Sequence, residues 1–89
     1  MKIEELHEVL KKNYKKYVSD IEDVPPCYGF NPAYKEFFIT KKKFIINIVQ
    51  TGKKKCFEFY IQDNNTGEGV TISTKMDGSK VIDLVKLIM

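Results

Sequence analysis

The first quarter of the chain carries apolar residues at the spacing of an α-helix. Between Ile3 and Ile21 they recur every three or four positions, which places them on one stripe of a helix. Glutamates precede lysines along this segment, an order that complements the helix dipole. The pattern predicts an amphipathic helix from Ile3 to about Ile21, which ends before Pro25 because proline cannot continue the hydrogen-bond ladder. The stripe consists of Ile3, Leu6, Leu10, Tyr14, Tyr17, Val18 and Ile21.

The next segment, residues 23–35, contains all three prolines of the chain and is predicted to be a loop. It is longer than most connections, and long ordered loops are often functional. Tyr28 and Phe30 lie within it, and a stiff loop that presents aromatic side chains loses little entropy on binding. These two residues are therefore candidates for partner binding. The alternative is that they fill an open end of the hydrophobic core.

Four stretches rich in β-branched and aromatic residues follow and are predicted to be strands of an antiparallel meander. Turn-forming residues separate them, and an apolar stripe from about residue 79 to 88 predicts a second helix. The sequence thus predicts one compact α+β domain, residues 1–89, with the order α-β-β-β-β-α or, with three strands, α-β-β-β-α. The predicted strands are residues 36–40, 43–50, 55–62 and 69–74.

Alternation along the central hairpin divides its residues between two faces. One face is strongly apolar and is expected to receive both helices. The opposite face carries Ile45, Val49 and Tyr60 among polar residues, and such a mixed surface is typical of a contact site for a partner or a second copy. Two alternatives remain: strand propensity alone selects these residues, or one helix covers this face. The apolar face consists of Phe44, Ile46, Ile48, Phe57, Phe59 and Ile61.

Lysine supplies all fifteen basic residues of the 89, and the formal net charge is +3. Two lysine runs flank the second predicted strand, and the helix-strands-helix order resembles the layout of double-stranded RNA-binding domains. Nucleic-acid binding through these lysines is therefore the alternative function. The absence of arginine argues against it, since arginine makes the bidentate contacts to phosphate and guanine. The two runs are Lys41, Lys42, Lys43 and Lys53, Lys54, Lys55.

Catalytic chemistry has few candidates in this sequence. The single histidine, His7, and the thiol of Cys27 would form a nucleophilic pair only through tertiary contact, and the histidine is expected on the helix surface. One histidine and two separated cysteines cannot supply the four ligands of a structural zinc site. We therefore expect neither catalysis nor a metal or cofactor.

The first residues lack the apolar run of a secretory signal, and two cysteines do not suggest a disulfide framework, so a cytoplasmic location without membrane association is expected. The resulting interpretation is a small non-enzymatic module that binds another protein. One hypothesis within this class is an inhibitor from a phage or mobile element that occludes a site on a host defence protein. A small enzyme is the least favoured interpretation.

Overall fold

The computed structural model describes residues 1–27 and 32–89. Two helices flank five antiparallel strands, so the predicted α+β class is confirmed. The sequence predicts three or four strands, and the structure has five. The strands lie in sequence order, β1-β2-β3-β4-β5, in a single sheet. The elements are α1 (Ile3–Asn13), β1 (Glu22–Val24), β2 (Tyr34–Thr40), β3 (Phe44–Thr51), β4 (Phe57–Asp63), β5 (Gly69–Met76) and α2 (Gly78–Ile88).

The first helix is shorter than the sequence predicts. It ends at Asn13, so the prediction of a helix to Ile21 is wrong for its last two turns. The chain beyond it instead runs along β2, where Val18 forms an isolated bridge with Ile39. Val18 is nevertheless 9% exposed and belongs to the core. Of the other predicted stripe residues beyond Asn13, Tyr14 and Ile21 are half-buried, whereas Tyr17 is 41% exposed. The apolar period therefore identified most of the core-facing positions, but pairing with a strand replaced the helical hydrogen bonds.

The predicted loop 23–35 is also partly wrong, because it contains strand residues at both of its ends. Glu22–Val24 forms β1, which pairs with the start of β2 in the register Glu22 to Glu36 and Val24 to Tyr34. Three residues of charged and β-branched character carry little strand signal by themselves. The neighbouring strand supplies the hydrogen bonds that hold them extended.

The remaining strands and turns lie close to their predicted positions. Strands β3 and β4 form a hairpin in which Ile46 faces Ile61 and Ile48 faces Phe59. Gly52 adopts a φ of 57° in the connecting turn, a left-handed conformation that glycine reaches without strain. The predicted hairpin between these strands is thereby confirmed.

Both helices pack on the same face of the sheet. α2 begins at the predicted residues, since the carboxylate of Asp77 accepts a hydrogen bond from the amide of Lys80 at 2.9 Å. One hydrophobic core joins the helices to the sheet, and each fully buried apolar side chain contributes about 1.5 to 3 kcal/mol. Its fully buried members are Ile3, Leu6, Leu10, Phe37, Ile39, Ile46, Ile48, Phe57, Phe59, Val81 and Val85.

Candidate functional site

The second face of the sheet, which we call the open face, consists of the alternate residues of β1 to β4 whose side chains point away from the helices. Its central row runs across three strands as Phe38, Asn47 and Tyr60, and continues to Thr71 on β5. All but Thr71 are half-buried, as is Ile45 on the next row. The open face therefore keeps aromatic and aliphatic surface accessible on the side opposite the helices.

A neighbouring row of the open face is acidic. The strand register aligns Glu22, Glu36, Val49 and Glu58 across β1 to β4. Val49 lies between two glutamates and is only 7% exposed. Little of its side-chain surface is therefore accessible to a partner, although the sequence predicts Val49 as a contact residue. The row places three carboxylates on one line of the sheet.

Lysine is absent from the open face throughout strands β1 to β4. The one lysine within these four strands, Lys35, points to the helix side, where its ammonium lies 3.3 Å from the carboxylate of Glu4. A chain with a net charge of +3 thus presents an acidic and apolar face. Phosphate groups would be repelled there, whereas basic side chains would be attracted.

Hydrogen bonds fix the polar side chains of this face. Glu58 is bound twice: Thr51 donates from its hydroxyl at 2.8 Å, and the Tyr60 hydroxyl donates to the other carboxylate oxygen. Asn47 donates from its side-chain amide to Glu36 at 3.1 Å. These bonds hold the side chains in place before any partner arrives, which reduces the entropy lost on binding.

The Tyr60 hydroxyl is held in its neutral form. Its hydrogen bond to the Glu58 carboxylate, together with partial burial and the negative charge of Glu58, raises the pKa of Tyr60 to about 12. Ionisation would place two negative oxygens against each other. Tyr60 therefore acts as a hydrogen-bond donor and aromatic surface near neutral pH, and not as a proton acceptor.

A shallow depression of about 230 Å³ lies on the open face. Phe38, Ile45 and Tyr60 line it, and Gly69 contributes to its rim without a side chain. It is smaller than most small-molecule pockets, which usually exceed about 300 Å³, and is of a size that receives one or two side chains. Such a depression suits the anchor residue of a protein partner.

Sequence reasoning identified part of this face and missed the rest. It placed Ile45, Val49 and Tyr60 on the face opposite the helices, and the structure groups them there. It did not include Glu22, Glu36 or Phe38. Alternation along residues 36–40 could have identified Phe38, whereas Glu22 depends on β1, which carries no clear sequence signal. Tyr28 and Phe30, the other predicted contact residues, lie outside the described residues.

The two predicted lysine runs lie at opposite ends of β3. The Thr40 amide donates to the Tyr17 carbonyl at 2.9 Å, which brings the segment that contains Lys15 and Lys16 to the same end of the sheet as the first run, Lys41, Lys42 and Lys43. The Lys41 ammonium also lies 5.6 Å from the centre of the Tyr17 ring. The second run, Lys53, Lys54 and Lys55, is exposed at the turn between β3 and β4.

The two candidate catalytic residues, His7 and Cys27, lie in different environments. His7 is half-buried: its Nε2–H donates to the Ser19 carbonyl at 2.7 Å, and its ring packs edge-on against Phe37 at 5.0 Å. Cys27 is exposed. Across residues 1–27 and 32–89, no three His, Cys, Asp or Glu residues are grouped as metal ligands.

Neither helix in the described chain is long and apolar enough to cross a membrane. Comparison with known protein families, curated proteins and solved structures finds no match to this chain.

Proposed function

We propose that this protein is a non-enzymatic module that binds another protein through the open face. The observation that carries the proposal is the combination, on the side of the sheet opposite the helices, of an aromatic-lined depression and a lysine-free row of carboxylates. Interfaces of this kind use a few buried anchors surrounded by polar contacts. The fixed side chains of Glu58, Tyr60 and Asn47 support the same function.

The partner surface is inferred from the chemistry of the open face. An apolar side chain of the partner enters the depression beside Ile45 and Tyr60, and lysine or arginine side chains face Glu22, Glu36 and Glu58. Charge complementarity of this kind speeds association and selects the partner. Occlusion of a site on the target protein is the corresponding mode of action, as expected of a stoichiometric inhibitor from a phage or mobile element.

The test is affinity capture from a lysate of the host, with matched variants as bait. Ile45→Lys and Tyr60→Glu alter the centre of the open face. Leu87→Lys is the control, because Leu87 is 84% exposed on α2 and the substitution adds the same charge as Ile45→Lys. One stoichiometric protein retained by wild type and by Leu87→Lys, but lost by both open-face variants, supports the proposal. Equal capture by every variant refutes it.

The acidic row provides a second arm of the same experiment. Glu22→Lys reverses an exposed charge at the edge of the face and should weaken binding by less than the central variants, because rim charges contribute less than buried anchors. Added salt should reduce this difference between wild type and Glu22→Lys. A partner that binds Glu22→Lys more tightly would contradict the proposed basic surface.

Nucleic-acid binding is the second candidate function. It is favoured because Lys15 and Lys16 lie at the same end of the sheet as the run Lys41, Lys42 and Lys43. Phosphate binding there predicts a log-log salt slope of about −0.9 for each contact on duplex DNA. Replacement of Lys15 and Lys42 by glutamine should reduce that slope, whereas Ile45→Lys should leave nucleic-acid affinity undiminished. The absence of arginine counts against this candidate.

A further inference from the structure

A cavity of about 380 Å³ lies at the end of the sheet where β3 begins. Tyr17 and Phe44 line it together with the lysine run Lys41, Lys42 and Lys43. Its volume falls within the range of small-molecule pockets, which usually exceed about 300 Å³. This cavity, which we call the basic cavity, shares no lining residue with the depression on the open face. It is therefore a separate candidate for ligand binding.

Aromatic side chains form part of the basic cavity. Tyr17 is 41% exposed and lies outside the hydrophobic core, whereas Phe44 is half-buried and packs against the core. The Lys41 ammonium lies 5.6 Å from the centre of the Tyr17 ring and donates to the Met89 carbonyl at 3.1 Å. These two contacts hold a cation beside an accessible aromatic ring. Exposed aromatic rings of this kind provide surfaces on which unpaired nucleic-acid bases stack.

The charge around the basic cavity is positive. None of its lining residues in the described chain is acidic. Asp63 lies opposite Phe44 on β4, but its carboxylate accepts hydrogen bonds from two backbone amides of the following turn. Four lysines at this end of the sheet form no ion pair with any carboxylate of residues 1–27 and 32–89: Lys15, Lys16, Lys42 and Lys43. Their ammonium groups attract phosphate.

We propose that the basic cavity binds single-stranded nucleic acid, with one unpaired base against the Tyr17 ring and the flanking phosphates beside the lysines. This inference rests on the nucleic-acid candidate function and deepens it, because it names a single strand as the ligand. A paired base lies inside the duplex and does not reach a protein cavity, whereas an unpaired base does. Base stacking and lysine contacts also do not require the bidentate contacts of arginine, which this chain lacks.

The test is fluorescence anisotropy of a labelled DNA oligonucleotide of about ten nucleotides, free or annealed to its complement, over a range of salt concentrations. Wild type should bind the single strand more tightly than the duplex. Tyr17→Ala should weaken single-strand binding about tenfold without changing its salt dependence, whereas Tyr17→Phe keeps the stacking surface and should bind as wild type does. The double variant Lys42→Gln/Lys43→Gln should reduce the log-log salt slope by about 1.4, which is about 0.7 for each lost phosphate contact.

Lys53→Gln/Lys54→Gln is the matched control, because it removes the same charge at the opposite end of β3. This variant should bind the single strand with the affinity and salt slope of wild type. Tyr17→Ala should fold normally, since Tyr17 lies outside the core and its bond to the Thr40 amide comes from its backbone carbonyl. Circular dichroism of each variant checks this.

Three results would overturn the inference. Equal affinity for single strand and duplex, unchanged by Tyr17→Ala, would leave phosphate contact alone as the basis of nucleic-acid binding. Absence of binding to both oligonucleotides at low salt would also remove the candidate function on which the inference rests. A salt slope reduced as much by Lys53→Gln/Lys54→Gln as by Lys42→Gln/Lys43→Gln would show that the strand is bound by overall charge and not by the basic cavity.

Discussion

Ile45 and Ile46 are adjacent on β3 and point to opposite faces of the sheet, so alanine at each position tests the arrangement of the whole domain. Ile46 is fully buried between Ile39 and Ile61, whereas Ile45 is half-buried on the open face. The substitutions are chemically identical and remove the same β-propensity from the same strand. Each residue is therefore the matched control of the other.

The difference in unfolding free energy follows from burial. Alanine at position 46 removes three buried carbons, a transfer loss of about 2.4 kcal/mol, and leaves a cavity that adds about 1 kcal/mol. Alanine at position 45 removes roughly half the transfer term without an enclosed cavity, a loss of about 1 kcal/mol. For a chain of 89 residues the total stability is about 4 to 13 kcal/mol. Ile46→Ala therefore removes a large share of it.

Urea unfolding followed by circular dichroism measures both losses, provided that the dependence on denaturant is the same in each variant. We expect Ile46→Ala to be less stable than Ile45→Ala by about 2 kcal/mol. Equal losses, or a larger loss at Ile45, would show that the open face is covered in solution. The proposed binding surface would then not exist.

Two predictions concern pH. Glu58→Gln should return the pKa of Tyr60 from about 12 toward 10.0. Tyrosinate absorbance measures this pKa, with Tyr60→Phe as the reference that identifies the Tyr60 signal. Because the pKa of Tyr60 is higher in the folded than in the unfolded chain, the stability that Tyr60 contributes is complete below pH 10.0 and is lost as pH rises through about 12. A Tyr60 titration unchanged by Glu58→Gln would contradict the hydrogen bond. The second prediction concerns acid pH, because hydrogen bonds from the amide of Lys80 and from the Ser79 hydroxyl lower the pKa of Asp77 below 3.8 in the folded chain. The stability that Asp77 contributes is therefore complete above pH 3.8 and is lost as pH falls through the pKa of Asp77 in the folded chain. Asp77→Asn keeps a capping side chain without the charge and should flatten the fall of Tm with acid pH, whereas the same acid dependence in both proteins would exclude this cause.

Tertiary contacts decided the boundaries that sequence periodicity missed. Tyr14, Val18 and Ile21 continue the apolar period of the first helix, and all three contact the core. They do so from an irregular and extended segment, because the amide of Ser19 bonds to the carbonyl of Phe38 at 2.8 Å. A partner strand that lies distant in sequence competes with the local helix, and periodicity alone does not reveal that competition.

The residues of the open face were likewise predictable within each strand but not across strands. Alternation in β3 and β4 predicted which face Ile45 and Tyr60 share, since the side chains of a strand alternate by geometry. The alignment of Glu22 with Glu36 and Glu58 required the register of four strands. Neighbours across a sheet are set by hydrogen bonds between distant segments. The acidic character of the face therefore emerges only when the strands are assembled.

The sequence by itself determined the α+β class, the central hairpin, the start of α2 and which central residues form the core. These features depend on side-chain periodicity, turn residues and capping, all of which act over a few residues. Tertiary structure alone decided where α1 ends, that β1 exists and which charges share a face. Those outcomes depend on pairing between segments far apart in the chain, whose energies no local pattern contains.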